Sequence, residues 1–308
     1  MSEQSLWLDR IFVQTAVIML SFLAVLTVFT FLLRNRLAAF TAGWASLKSW
    51  IFVAPLIFVG LALPDPWPLV GLTMVGIFSA KVFFQMVGIY HRSWFVWATY
   101  LFIFGLGYLV YVDNLELYNL SPMVFLGTIA LIPLIRNSAT NMIQYVALSL
   151  LSFIFWGWSL MHLGHLLMLE RGPLIVLYLY ILTEVSDNAA LASSRLFGKH
   201  KLFDKISHRV TLEGLVISTI VALLVAWGFR HLLPDRSEKF WIAAGLIAAF
   251  VGRLGGLILS VIRRDLGIKN TGVFIIGRDD ILSRTDKLIF VGPMYFYLYL
   301  WLQQVPWL

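Results

Sequence analysis

Ten apolar stretches decide what this chain can fold into. They run over residues 11–33, 49–63, 67–89, 94–112, 122–135, 142–168, 173–193, 213–233, 239–262 and 286–306. A helix that crosses a bilayer needs about 20 largely apolar residues, because its backbone must be hydrogen-bonded internally in hydrocarbon. The second and fifth stretches are short, so their ends are soft. The interruptions read as turns: Pro64-Asp65-Pro66-Trp67, the polar run Asp113-Asn114-Leu115-Glu116, and Glu170-Arg171-Gly172-Pro173. Trp and Tyr gather at the ends of the stretches, as interface anchors do. The expected fold is an all-α polytopic membrane protein with about ten transmembrane helices.

Composition excludes the alternatives. The 308 residues are 60% hydrophobic and 13% charged, where a soluble domain has roughly 45–50% and about 25%. A soluble enzyme, a disordered chain and a nucleic-acid-binding module are ruled out. Cys is absent, which excludes disulfides, thiolate catalysis and Cys-ligated metals. The first run, Ile11 to Leu33, is long enough to span a bilayer and shows no small-residue cleavage site. With both termini outside and ten alternating spans, 16 of the 23 Lys and Arg residues fall on inward loops and 5 on outward ones, with Lys81 and Arg253 inside spans. Such a split is the positive-inside signature. It places the two long basic loops, 194–210 and 263–285, in the cytoplasm, and an integral protein of a bacterial inner membrane is the expected setting.

Polar chemistry is concentrated late in the chain. Ten of the 16 acidic residues lie between Glu184 and Asp286, mixed with the basic inward loops. Carboxylates hold divalent metal and Arg or Lys hold phosphate oxygens, so this mixture suits a phosphorylated, metal-chelated ligand. Anionic headgroups would also attract such loops. The order of residues narrows the choice. Asp187-Asn188-Ala189-Ala190 leads into Arg195-Leu196-Phe197-Gly198-Lys199, then Ser207-His208-Arg209-Val210-Thr211-Leu212-Glu213-Gly214. Later come Ser260-Val261-Ile262-Arg263-Arg264-Asp265, Gly267-Ile268-Lys269-Asn270-Thr271-Gly272, and Gly277-Arg278-Asp279-Asp280-Ile281-Leu282-Ser283-Arg284-Thr285-Asp286. This series resembles the phosphatidate cytidylyltransferase (CDP-diacylglycerol synthase) family over about residues 160 to 300, as a divergent member.

The resemblance implies a function. Family members join CTP to phosphatidic acid, releasing pyrophosphate and making CDP-diacylglycerol for phospholipid synthesis. It implies Asp187, Asp265 and Asp286 as catalytic residues. It implies Lys199, Ser207, Thr211, Glu213, Ser260, Arg263, Arg264, Lys269 and Arg284 as substrate-binding residues, and Mg²⁺ as cofactor on Asp279, Asp280 and Asp286. CTP, phosphatidic acid and membrane lipids are the implied partners, nucleic acid is not, and a homodimer is admitted. The chain then divides into N-terminal helices over 1–160 and a cytidylyltransferase-like membrane domain over 161–308. The departures matter as much. Gly256, Asn270 and Ser283 stand where the family has Asp, and neither Gly nor a neutral Ser is a good ligand for a hard divalent ion. Arg253 lies three residues before Gly256 on the same helix face, so its guanidinium could reach the space a carboxylate has vacated. A second reading is therefore a degenerate relative that binds nucleotide or lipid phosphate in a regulatory role. A third, a transporter, has ten spans and intramembrane charges in its favour and the motif order against it.

Three smaller signals complete the reading. His162 and His165 share a helix face but have no evident third ligand for a metal. Lys81, inside a span, is a candidate partner for Glu184 or Asp187. Gly252, Gly255 and Gly256 suit a close helix approach or a kink beside the motif. The charge split is directly testable. Single cysteines at Ser194 and Thr271 are expected to react only with membrane-permeant thiol reagents in intact cells. Labelling by an impermeant reagent from outside would contradict the orientation.

Overall fold

A computed structural model of the chain describes residues 6–33, 38–203, 206–234, 237–267 and 281–304. Within them ten helices of 17 or more residues follow one another. They are α1 (Arg10–Leu33), α2 (Ala38–Ala62), α3 (Trp67–Met86), α4 (Ser93–Tyr111), α5 (Leu115–Ile135), α6 (Met142–Leu167), α7 (Gly172–Phe197), α8 (Leu212–Gly228), α9 (Glu238–Asp265) and α10 (Ile281–Gln304). Between α7 and α8 sits the only sheet among the described residues. It is an antiparallel hairpin of β1 (Lys201–Phe203) and β2 (Ser207–Thr211), with Lys201 opposite Thr211 and Phe203 opposite Ser207.

The helix ends follow from local chemistry. Pro66 and Pro68 flank the start of α3, and a proline in a first helical turn gives up an N–H that would have no partner there. Asn114 caps α5 by accepting from the Leu117 amide at 2.9 Å. Arg171, at φ 55°, turns the chain sharply from α6 into Gly172 and Pro173 of α7. Its guanidinium also reaches back 2.8 Å to Asp9, tying the entry of α1 to this turn.

Ten helices thus stand where ten apolar stretches were read, but the membrane-crossing count differs. Among the described residues seven are long and apolar enough to cross: α1, α3, α4, α5, α6, α7 and α9. The apolar part of α2 (Trp50–Ala62) and all of α8 are shorter. The last helix begins at Ile281, five residues earlier than the apolar run suggests, because Ser283 to Lys287 continue the helix as its polar first turns. An all-α polytopic membrane protein is what these helices make.

Two apolar cores hold the bundle. One joins Phe12 and Phe58 to Leu163, Leu177, Leu182, Ala244, Val291 and Tyr295. The other joins Phe83, Ile103, Phe125 and Trp156 to Leu259, Leu282 and Ile289. Each core draws on both sides of residue 160, and α6 runs straight through that point. Thr285 of α10 marks the contact: it accepts from the Trp156 indole of α6 at 3.2 Å and meets the Ser79 hydroxyl of α3 at 3.4 Å. The N-terminal helices therefore brace the helix that carries the end of the family-like motif.

Turns of π-helix interrupt α6 (Phe153–Ser159) and α9 (Ile247–Val251). The second immediately precedes Gly252. Such wide turns shift the phase of the side chains that follow. In α9 they aim Gly255 straight at the backbone of α10, where a Cβ would come within 1.7 Å of the Asp286 carbonyl oxygen. Only glycine permits this approach. Gly255→Ala is expected to destabilise the protein by about 1–3 kcal/mol, the usual scale of overpacking, measured by unfolding in detergent. Gly105→Ala, where the added methyl meets nothing within 4 Å, should leave stability unchanged or raise it.

Candidate functional site

The site starts from one face of α7. Tyr180, Glu184 and Asp187 fall at positions i, i+4 and i+7 and so share a face. Glu184 is buried and Asp187 half-buried inside an otherwise apolar helix. Carboxylates at membrane depth are costly and need a cation. It comes from α10: the Lys287 ammonium lies 2.8 Å from Glu184 Oε2 and 3.2 Å from Asp187 Oδ2. All three side chains are largely withdrawn from solvent, with exposures of 14% for Lys287, 7% for Glu184 and 32% for Asp187. Lys287, not Lys81, answers the two carboxylates. Lys287 is the second residue of the apolar run 286–306, and grouping it with the inward basic residues hid this role.

One residue earlier, Asp286 points toward α9. Its carbonyl receives Gly255, and its carboxylate faces Gly256: a Cβ on Gly256 would lie 3.4 Å from Asp286 Oδ2. The other oxygen, Oδ1, is buried with no hydrogen-bond partner among the described residues. Ser260 is committed to its own helix, donating to the Gly256 carbonyl at 2.7 Å. Arg253 does not fill the space before Gly256. Its Nη2 donates to the Ser218 hydroxyl of α8. Arg263 donates to the Ser283 hydroxyl at 3.1 Å, joining α9 to α10. Arg284 stacks on Trp50 of α2 at 4.5 Å from the ring centre, beside Tyr180 of α7.

The α7–α8 connection carries a second group of motif residues. Thr211 caps α8 by accepting from the Gly214 amide at 3.1 Å, and its hydroxyl donates to Ser194 at 3.0 Å. Glu213 turns back to accept from the Lys199 amide at 3.2 Å and from the His200 amide at 3.2 Å, and meets His200 Nδ1 at 2.6 Å. Gly214 lets α8 press against α7, since a Cβ there would meet the Ser194 hydroxyl at 2.0 Å. Beside this knot opens a recess of about 490 Å³ lined by Arg195, Leu196, Phe197, Gly198, Lys199 and Glu213. Arg264 and Asp265 stand exposed in the last turn of α9. At 1.5 Å per residue, Asp265 is about 13 Å along the helix axis from Gly256, so the structure groups Asp187 with Asp286 and sets Asp265 apart. Lys269, Asp279 and Asp280, with Asn270 and Arg278, lie outside the described residues.

A model of the cytidylyltransferase family matches residues 44–302. The chain belongs to the cytidylyltransferase family. The match extends far into the N-terminal half, beyond the motif-bearing segment, in keeping with Ser79 and Trp156 bracing Thr285. Among curated relatives, the chain is similar to the "Uncharacterized protein YnbB" of Escherichia coli K12, 36% identical over 47% of this chain and 52% of that protein. It is similar to the phosphatidate cytidylyltransferase of Haemophilus influenzae, 33% identical over 42% of this chain and 46% of that one. The enzyme of the same name from Staphylococcus saprophyticus is 30% identical over 60% of this chain and 69% of its own. The chain spans about half the length of the first two of these relatives.

Within this cytidylyltransferase-family protein the motif residues divide by task. Thr211, Glu213 and Gly214 fold the α7–α8 turn, while Asp187, Gly256, Ser283 and Asp286 converge on the centre. Among the described residues the donor set there falls short of the six or more oxygens a divalent ion prefers, and Asp279 and Asp280 lie outside them. Asp286 faces a glycine, the Ser283 hydroxyl is engaged by Arg263, and Lys287 holds Glu184 and Asp187. Among the described residues no three metal-binding side chains converge. The same holds for His162 and His165. Both are buried in an aromatic cluster, where His162 Nδ1 contacts the Trp158 carbonyl at 2.9 Å and the Tyr118 hydroxyl at 3.2 Å.

Proposed function

We propose that this protein is a CTP:phosphatidate cytidylyltransferase. A non-bridging oxygen of the lipid phosphate forms a bond to the α-phosphorus of CTP. The bond from that phosphorus to the bridging oxygen of the β-phosphate breaks, and pyrophosphate leaves with the electron pair. Catalysis of this kind is positioning plus electrostatic stabilisation. The observation that carries the reading is the convergence of motif residues from α7, α9 and α10 on one buried charged centre. Arginines 263 and 284 stand on the helices of that centre, and Arg195 and Lys199 line a recess beyond the end of α7. One substrate never leaves the bilayer and the other never enters it, so the centre must open to both. Arg284, held between Trp50 and Tyr180, is suited to the lipid phosphate. Arg263, exposed Arg264 and Lys199, together with Lys269, are suited to the phosphates of CTP. The basic loops face the cytoplasm in this reading, where CTP is found.

The pairing of Gly256 with Asp286 favours a second reading, in which the site binds nucleotide or lipid phosphate without turnover. One experiment separates the two. Purified protein is incubated with labelled CTP and phosphatidic acid, with Mg²⁺ and with EDTA, and CTP binding is measured in parallel. Formation of CDP-diacylglycerol and pyrophosphate is the expected result. Binding without product would support the second reading, and the absence of both would overturn each. If CTP binds, Arg264→Ala is expected to weaken binding by about 1.5–3 kcal/mol, the worth of a charge-assisted hydrogen bond.

A further inference from the structure

The buried centre holds three carboxylates: Glu184, Asp187 and Asp286. One cation touches two of them: the Lys287 ammonium lies 2.8 Å from Glu184 Oε2 and 3.2 Å from Asp187 Oδ2. Lys287 comes from α10 and its two carboxylates from α7, so the ammonium sits between the helices. The second carboxylate that would pair with Asp286 across the α9–α10 contact is missing at Gly256, although a side chain would begin only 3.4 Å away. A divalent ion entering here would have to displace an ammonium held at 2.8 and 3.2 Å. It would find Asp286 as its one uncommitted carboxylate among the described residues of the centre.

We propose that Lys287 is the built-in counter-ion of this centre. Its ammonium bridges Glu184 and Asp187 where a metal would otherwise join them, so that the site is assembled with no divalent metal. The inference rests on the location of the family's motif at this centre and deepens the function proposed above: nucleotide that binds here does so in EDTA. Its test uses the ion alone, so failure of the nucleotide reading leaves it standing.

The probe is Mn²⁺ without nucleotide, followed by electron paramagnetic resonance and by thermal unfolding of the detergent-solubilised full chain. The wild-type protein is expected to show no saturable Mn²⁺ binding below the millimolar range and the same Tm in Mn²⁺ and in EDTA. Lys287→Met releases the two carboxylates. It is expected to lower Tm in EDTA, to recover Tm when Mn²⁺ is added, and to acquire saturable Mn²⁺ binding. A ligand that binds only the folded state stabilises it by mass action, so binding and Tm must move together. Lys287→Arg keeps the charge and is expected to behave as wild type, which preserves the test if Lys287→Met fails to fold. Saturable Mn²⁺ binding with a raised Tm in the wild type or in Lys287→Arg would overturn the proposal. So would a folded Lys287→Met protein that gains no Mn²⁺ binding.

Discussion

An ammonium group inside an apolar helix bundle imposes a strict condition on everything around it. Removing an ion from water costs several kcal/mol even after relaxation, and the cost is recovered only when opposite charge lies at hydrogen-bond distance. Lys287 meets that condition because Glu184 and Asp187, one turn apart on α7, present two carboxylates at 2.8 and 3.2 Å. The register of α10 against α7 is thereby set. With Lys287 turned to α7, Asp286 must face α9, and α9 can come close only because Gly255 and Gly256 carry no side chains. Thr285, on the remaining side, is held by Ser79 and Trp156. Three consecutive residues of one helix thus fasten four neighbouring helices, α3, α6, α7 and α9.

This arrangement changes the meaning of the family motif. Part of it is architecture: Thr211 caps α8, Glu213 ties down the turn after α7, and Gly214 and Gly255 let helices touch. These residues would persist in an active enzyme and in a silent relative alike, so their presence speaks to fold. The chemical information lies where side chains converge, at Asp187, Gly256, Ser283, Asp286 and Lys287. There a lysine, a serine and a glycine stand beside the carboxylates, and the lysine supplies positive charge at the centre.

Most of the architecture was legible because lipid enforces long apolar runs, and each of the ten runs became a helix. The boundaries were less legible where a helix begins polar. Ser283, Arg284, Asp286 and Lys287 look like loop residues by hydropathy, yet they form the first turns of α10 and are mostly covered by neighbours. That is why Lys287 was counted with the inward loop cations. A signal existed: Glu184 and Asp187 share a face inside a span and require a cation from a facing helix. Lys81 was the candidate read from the sequence, and only the packing of α7 against α10 brings Lys287 to them instead. Arg253 was legible as an intramembrane charge, but its partner, Ser218 on α8, depends on a helix contact that no spacing in the chain encodes.

The dependence of the bundle on the Lys287 ion triad is tested most directly by a double-mutant cycle of Glu184→Gln and Lys287→Met, read as unfolding free energy in detergent. Lys287→Met strands two carboxylates and is expected to cost about 3–5 kcal/mol, whereas Glu184→Gln leaves Lys287 paired with Asp187 and is expected to cost less. The double variant should be less damaged than the sum of the two, with a coupling energy of about 2 kcal/mol. Additive losses would mean that the two side chains do not depend on one another, and would contradict this account.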